Sequence, residues 1–293
     1  MKYKLAGCVI LYNPEYDAIK NIESYINRCD IFYIVDNGNG KEIYNCLKAK
    51  YHNIKYIFNL DNKGISYSLN KVLKIVYKQN IDFLLTMDQD SYFDEDSLMN
   101  YLNAIRTLDW NELLGVGPCV VEQGNVLPPQ EKSKNVQWKN TLRIITSGNI
   151  VNVNLAYQIG GWDENLFIDE VDHEFCYRGY IKNYKCLIAL NNIYLNHSLG
   201  KIVLCKYLFK QIEVKNYHNY FRTYYMVRNR LYVYRKYHRI NEFEFFKFYV
   251  VSVLKMLIFI IKKKRNKRKE LKSYFLGIKD FLLNNMGKKD FDF

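Results

Sequence analysis

The sequence predicts an α/β protein built on an open, mostly parallel sheet, and three observations carry that prediction. Apolar runs of strand length at residues 5–11, 31–35, 54–57 and 81–85 alternate with amphipathic helical stretches. Each run closes on turn-forming polar residues, among them Asn13-Pro14, Asp36-Asn37-Gly38 and Asp88-Gln89-Asp90. Apolar residues make up 49% of the 293, and 16% are aromatic, which supplies a large core and excludes a disordered chain.

Taken in order, Leu5 to Leu11 reads as a buried strand stopped before Pro14, which disfavours helix at the preceding residue. A helix follows over about Tyr16 to Asn27, with Ile19, Ile22 and Ile26 at helical spacing. Ile31–Val35 is a second strand. A helix through Tyr44 and Leu47, a strand at Ile54–Ile57 and a helix from Ile65 to Gln79 come next. The fourth strand, Ile81–Leu85, ends in Asp88-Gln89-Asp90. Beyond it, a helix is expected from Asp94 to Thr107, a strand from Leu113 to Val121, a mobile polar loop from Glu122 to Asn140, and a strand with a turn across Ile144–Val151.

In such sheets ligands bind outside the carboxyl ends of the strands, where Asp36, the Asn62-Lys63-Gly64 turn, Asp88 and Asp90 all fall. Two carboxylates one residue apart point the same way on a continuing strand or converge on a turn, and a hard divalent cation answers their repulsion. The pair alone does not separate a metal clamp from two solvated loop residues. A second acidic cluster spans Asp163 to Arg178. Its Asp169, Asp172 and His173 share a face at helical spacing, though a helix N-terminus also attracts such charges. His197, after an apolar stretch, reads in isolation as a structural histidine. No G-x-G-x-x-G or G-x-x-x-x-G-K-[ST] phosphate loop occurs, against nicotinamide enzymes and ATPases. Seven cysteines without C-x-x-C spacing, and no evident targeting segment, lead us to expect reduced thiols in the cytoplasm.

The order of these pieces resembles the family 2 glycosyltransferases of GT-A fold, and most closely their bacterial rhamnosyltransferase branch. The resemblance rests on Val9-Ile10-Leu11-Tyr12-Asn13, Val35-Asp36-Asn37, Asn62-Lys63-Gly64, Leu85-Thr86-Met87-Asp88-Gln89-Asp90-Ser91, Thr146-Ser147-Gly148-Asn149, Gly160-Gly161-Trp162-Asp163-Glu164, Phe167 to Phe175, and His197. It covers about residues 5–200. It implies a Rossmann-like, mostly parallel sheet flanked by helices, in a catalytic domain at 1–215.

It also implies donor-nucleotide contacts at Tyr12, Asp36, Asn62, Gly64 and Asp88, and a Mg²⁺ or Mn²⁺ site at Asp88, Asp90 and His197. Asp172 corresponds to the catalytic base. Ser147, Trp162, Asp169, Glu174 and Arg178 correspond to acceptor or sugar contacts. The implied reaction is inverting, metal-dependent transfer of a sugar, L-rhamnose from dTDP-rhamnose, to a lipid-linked or growing bacterial surface polysaccharide. The alternatives are galactofuranosyl or N-acetylglucosaminyl transfer from a UDP-sugar. More distant ones are a haloacid dehalogenase-type phosphatase, whose Asp-x-Asp closes the first strand and not the fourth, and an inactive membrane-bound glycan-binding protein.

Charge sets the last third apart. Residues 1–200 carry a net charge of −3 and residues 201–293 a net charge of +16. Residues 216–293 are therefore expected to form a basic, aromatic-rich helical region. Its apolar segment 248–261 spans about 21 Å as a helix, short of a roughly 30 Å hydrocarbon core. Peripheral contact with the inner face of the cell membrane is expected from that segment and its basic flank, in preference to a plain core helix or a nucleic-acid patch. Arg222, Arg228 and Arg230 are candidate holders of an acceptor diphosphate.

Overall fold

Strand β1 (Leu5–Leu11) lies inside an eight-stranded sheet, flanked in parallel by β2 (Ile31–Asp36) and β4 (Phe83–Asp88). The computed structural model describes residues 3–122, 135–197, 202–207, 210–215, 220–262 and 267–291. Two compact units divide the chain: Met1–Asp163 with Val171–Ser198, and Glu164–Glu170 with Leu199–Phe293.

The first unit begins with the predicted alternation. Helices α1 (Asp17–Glu23), α2 (Lys41–Lys48) and α3 (Ile65–Lys78) connect β1, β2, β3 (Ile54–Phe58) and β4. After the short strand β5 (Ser91–Phe93) come α4 (Glu95–Ala104), β6 (Leu113–Gly117), β7 (Cys119–Glu122), β8 (Trp138–Thr141), β9 (Asn149–Asn152), α5 (Val153–Gln158), α6 (Val171–Ile181), β10 (Lys185–Ala189) and β11 (Tyr194–His197). The large sheet runs β3-β2-β1-β4-β9-β6-β10-β8, and a second sheet runs β5-β11-β7. β9 is antiparallel to both its neighbours and β8 to β10; the other pairs of the large sheet are parallel. Leu5, Ala6, Cys8, Val9 and Leu11 are all buried, as a strand covered on both faces requires. Asp94 caps α4, its Oδ1 accepting from the Ser97 amide at 2.8 Å.

Three expectations are corrected. The strand expected from Leu113 to Val121 breaks at Pro118, which offers no N–H to a ladder, and its halves join different sheets. The polar stretch 122–140 runs into β8, which pairs with β10; residues 123–134 lie outside the described residues. Asp169 and Glu170 are left-handed, with φ of 63° and 64°, so α6 starts only at Val171 and the helical face linking Asp169 to Asp172 and His173 does not form.

In the second unit, β12 (Ile202–Tyr207) and β13 (Lys210–Lys215) form an antiparallel pair that the sequence reading did not anticipate. Helices α7 (Tyr220–Tyr237), α8 (Glu242–Phe245), α9 (Val251–Lys262) and α10 (Lys267–Leu282) follow, with a π-helical stretch at Phe246–Val250. Val227, Val253, Met256, Ile260 and Tyr274 form one core cluster and Phe167, Tyr224 and Tyr225 another. A Cβ on Gly277 would sit 2.8 Å from the Tyr224 carbonyl, so glycine is what lets α10 approach α7. Arg228 is 1% exposed, stacked on the rings of Tyr224 and Tyr225 and donating to the Tyr224 hydroxyl at 3.0 Å. It is a core cation here, which corrects its expected role as a phosphate holder.

Candidate active site

The chain turns at Gln89-Asp90, so the two carboxylates of the Asp-x-Asp stretch converge. In the second sheet, antiparallel pairing of β5 with β11 sets His197 opposite Ser91, the residue after Asp90. Register thus explains how a histidine more than a hundred residues away reaches the pair. Ligand atoms of Asp88, Asp90 and His197 all lie within 4.8 Å of one another. His197 Nδ1 is 2.6 Å from the Ser91 hydroxyl and 3.5 Å from Asp90 Oδ1. Two carboxylate oxygens and an imidazole, with no thiolate, form a donor set that fits Mg²⁺ or Mn²⁺.

The segment Thr146–Asn149 is knitted to the end of β4. The Thr86 hydroxyl donates to the Thr146 carbonyl at 2.5 Å, and the Gly148 amide donates to the Thr86 carbonyl at 2.8 Å. The buried Ser147 hydroxyl accepts from the Asp88 amide at 3.2 Å, bracing the cluster from behind. The Thr146 amide donates to Asp172 Oδ2 at 3.1 Å, and Asp172 Oδ1 accepts from the His173 amide at 2.9 Å. The same segment therefore steadies both the metal-type carboxylates and Asp172, in the first turn of α6. Asp172 is partly exposed, and each carboxylate oxygen has a second lone pair besides the one that accepts from a backbone amide.

At the ends of β1 and β2, Tyr12 is 53% exposed. A Cβ on Gly38 would come within 3.2 Å of its ring, so the glycine forms a floor beneath Tyr12. Asp36 is fully buried. Its carboxylate accepts from the Gly38 and Gly40 amides at 2.8 and 2.9 Å and from the Tyr56 hydroxyl at 2.6 Å. Burial and that bond push the Tyr56 phenol upward, so it remains a donor. Asp36 thus holds the turn rather than presenting an open edge. Asn62 likewise shapes its own turn, its Oδ1 accepting from the Gly64 amide at 2.9 Å, with Gly64 at φ 86°.

Three expected acceptor contacts sit in supporting positions. Glu174 is fully buried and bonded to Arg178 at 2.8 Å; Arg178 also donates to the carbonyls of Ile159 and Gly161 at 2.9 and 2.7 Å. Trp162 is 3% exposed, stacked on Phe175, with its backbone N–H and C=O both bonded to the Asn70 amide group. These residues secure the Gly160-Gly161 corner, where both glycines have positive φ. Asp169 belongs to the second unit, its Oδ1 3.3 Å from Arg222. Asn70, Gln89, Ser91 and Thr146 were missed as supporting residues. Gln89, Ser91 and Thr146 left a signal, as members of the motifs that carry the resemblance; Asn70 left none.

Residues 8–159 match the family model for glycosyl transferase family 2. The chain belongs to glycosyl transferase family 2. It is 25% identical to the dTDP-rhamnosyl transferase RfbF of Shigella flexneri, over 96% of both chains. Residues 1–349 of Staphylococcus aureus TarS, solved with UDP-GlcNAc, superpose with a TM-score of 0.58 at 15% identity, covering 95% of this chain and 80% of that one. GalNAc-T7, solved with UDP, GalNAc and Mn²⁺, gives a TM-score of 0.54 at 11% identity over 67% of this chain and 44% of that one. The expected GT-A architecture is thereby met, and the phosphatase alternative falls away. Among the described residues, no helix is long and apolar enough to cross a membrane.

Proposed function

We propose that this family 2 enzyme transfers L-rhamnose from dTDP-rhamnose, with inversion, to a lipid-linked or growing bacterial surface polysaccharide. The near full-length similarity to a dTDP-rhamnosyl transferase is the observation that carries the donor assignment. Tyr12 stacks on the base, supported by the turn that Asp36 holds, and the Asn62–Gly64 turn lies along the nucleotide. Asp88, Asp90 and His197 would hold Mg²⁺ or Mn²⁺, which when bound neutralises charge building on the departing diphosphate.

Asp172 takes the proton of the acceptor hydroxyl. The freed oxygen bonds to the anomeric carbon from the face opposite the diphosphate, and the breaking C–O pair leaves on the phosphate oxygen. With one base and no protein nucleophile the configuration inverts. The backbone bonds to Asp172 hold its carboxylate in place, and each oxygen has capacity to accept a second proton donor. The functional division proposed runs at residue 215, with 216–293 serving peripheral contact at the cytoplasmic face of the membrane, where a lipid-linked acceptor resides.

Asp172→Asn tests the base directly. Transfer is expected to vanish while dTDP affinity stays within about twofold; near wild-type turnover would remove Asp172 from this role. A parallel panel of UDP-sugars separates rhamnosyl from galactofuranosyl or N-acetylglucosaminyl transfer.

A further inference from the structure

We propose that the outer face of the helical run from Phe246 through Lys262 docks on an anionic lipid bilayer. This deepens the membrane part of the reading above and is tested separately from the donor chemistry. Phe245, Tyr249, Val253, Met256 and Ile260 recur at three- and four-residue spacing and point into the second unit's own core. The opposite side carries Leu254, Ile258 and Ile261, which are 51%, 53% and 50% exposed, with Lys247, Lys255 and Lys262 among them. Helices of soluble domains put polar residues on that side. Here three large aliphatics follow one line along the helix, half in water.

Charge decides the occupant. From Phe245 through Lys269 the sequence holds nine basic residues and no acidic one. A second copy of the chain would set nine cations against nine. A nucleic acid would answer the charge and leave the aliphatics in water. An anionic bilayer answers both: the aliphatics enter the headgroup boundary while lysines reach back to phosphate.

The test is flotation of the full-length protein with vesicles of phosphatidylcholine, alone or mixed with phosphatidylglycerol. Wild type is expected to bind the mixed vesicles at least about tenfold better, and to lose that preference in high salt. Leu254→Ser with Ile258→Ser should keep the melting temperature and lose about tenfold or more in binding; Lys255→Glu with Lys262→Glu should abolish the preference for anionic vesicles. Equal binding by variants and wild type, no binding at all, or a dimer in sedimentation velocity that the serine variant abolishes would overturn the proposal. Affinity for dTDP in the same samples reports separately on the donor reading.

A different observation carries a second inference: Gln89 is a positioning residue for the donor base. Its Oε1 accepts from the Tyr12 amide at 2.9 Å and its Nε2 donates to the Tyr12 carbonyl at 3.3 Å. Asn21 donates to the Gln89 carbonyl at 3.0 Å. The side-chain amide thus extends the β1–β4 pairing past its last strand residues and ties the base-stacking residue to the metal-type carboxylates. This rests on the role proposed for Tyr12.

Calorimetric dTDP affinity in Mn²⁺ resolves the two. Tyr12→Ala should weaken binding by about tenfold or more, and Gln89→Ala by about fivefold in wild type but not in the Tyr12→Ala background. No effect of Tyr12→Ala would refute the base contact. A Gln89→Ala effect that is absent, or equal in both backgrounds, would refute the positioning role.

Discussion

Replacing Arg178 by alanine separates an acceptor contact from a structural brace. In the structure its guanidinium pairs with Glu174, whose side chain has no exposed surface, and satisfies two carbonyls at the Gly160-Gly161 corner. Removal takes the cationic partner from a buried carboxylate and a donor from two backbone carbonyls. Breaking a buried pair from one side costs about 3–5 kcal/mol. For a unit of this size each kcal/mol moves the melting temperature by about 2–4 °C, so a fall of roughly 6–20 °C is expected. Differential scanning fluorimetry reads this directly. The double change Glu174→Gln with Arg178→Met removes both charges at similar volume and should recover much of the loss. If Arg178→Ala melts like wild type and instead raises the acceptor KM, the residue touches the acceptor and the brace is wrong.

Gly161→Ala should destabilise by about 2 kcal/mol or more, since its Cβ would contact Asn70 Oδ1 in a backbone of φ 71°; a chemical denaturation midpoint within error of wild type would contradict this. Ser91→Ala removes the hydroxyl 2.6 Å from His197 Nδ1 and should lower Mn²⁺ affinity about tenfold, measured by titration with dTDP present; unchanged affinity would show that the ring needs no such support. Burial alone would raise the Asp280 carboxyl, but hydrogen bonds from Tyr224, Lys289 and Asn285 outweigh it and hold the group below the ordinary 3.8. A depressed carboxyl stabilises above its unfolded value and loses that contribution as pH falls through the folded one. Acid unfolding monitored by circular dichroism should therefore be less steep below pH ~4 in Asp280→Asn.

Much of the fold is legible in the residues because β1 to β4 and the helices between them are local patterns. Apolar strand runs, helical spacing at Ile19 and Ile22, and turns at Asn13-Pro14 and Gly64 each speak for themselves. What failed depends on partners distant in sequence. β8 is polar and short, and only pairing with β10 makes it a strand. Pro118 splits a run whose apolar pattern continues across it. Asp169 and Glu170 adopt left-handed geometry, for which Asp is only a weak signal and Glu none.

The site shows the same division. Asp88, Asp90 and His197 were named by resemblance, and the β5–β11 register explains why they meet. Trp162, Glu174 and Arg178 were named by resemblance as acceptor or sugar contacts, and the burial of Trp162 and Glu174 and the bonds of Arg178 to the Gly160-Gly161 corner are what sequence does not display. Arg228, expected on a surface from its charge, is instead stacked inside the helical unit between two tyrosines.

The most direct measurement is release of dTDP from dTDP-rhamnose by the purified full-length enzyme with a polysaccharide-fragment acceptor, in Mn²⁺ and again with excess EDTA. Turnover in Mn²⁺, loss of nearly all of it in EDTA, and product of inverted anomeric configuration by NMR are expected. Undiminished turnover in EDTA, a retained configuration, or activity only with a UDP-sugar would contradict the proposed function.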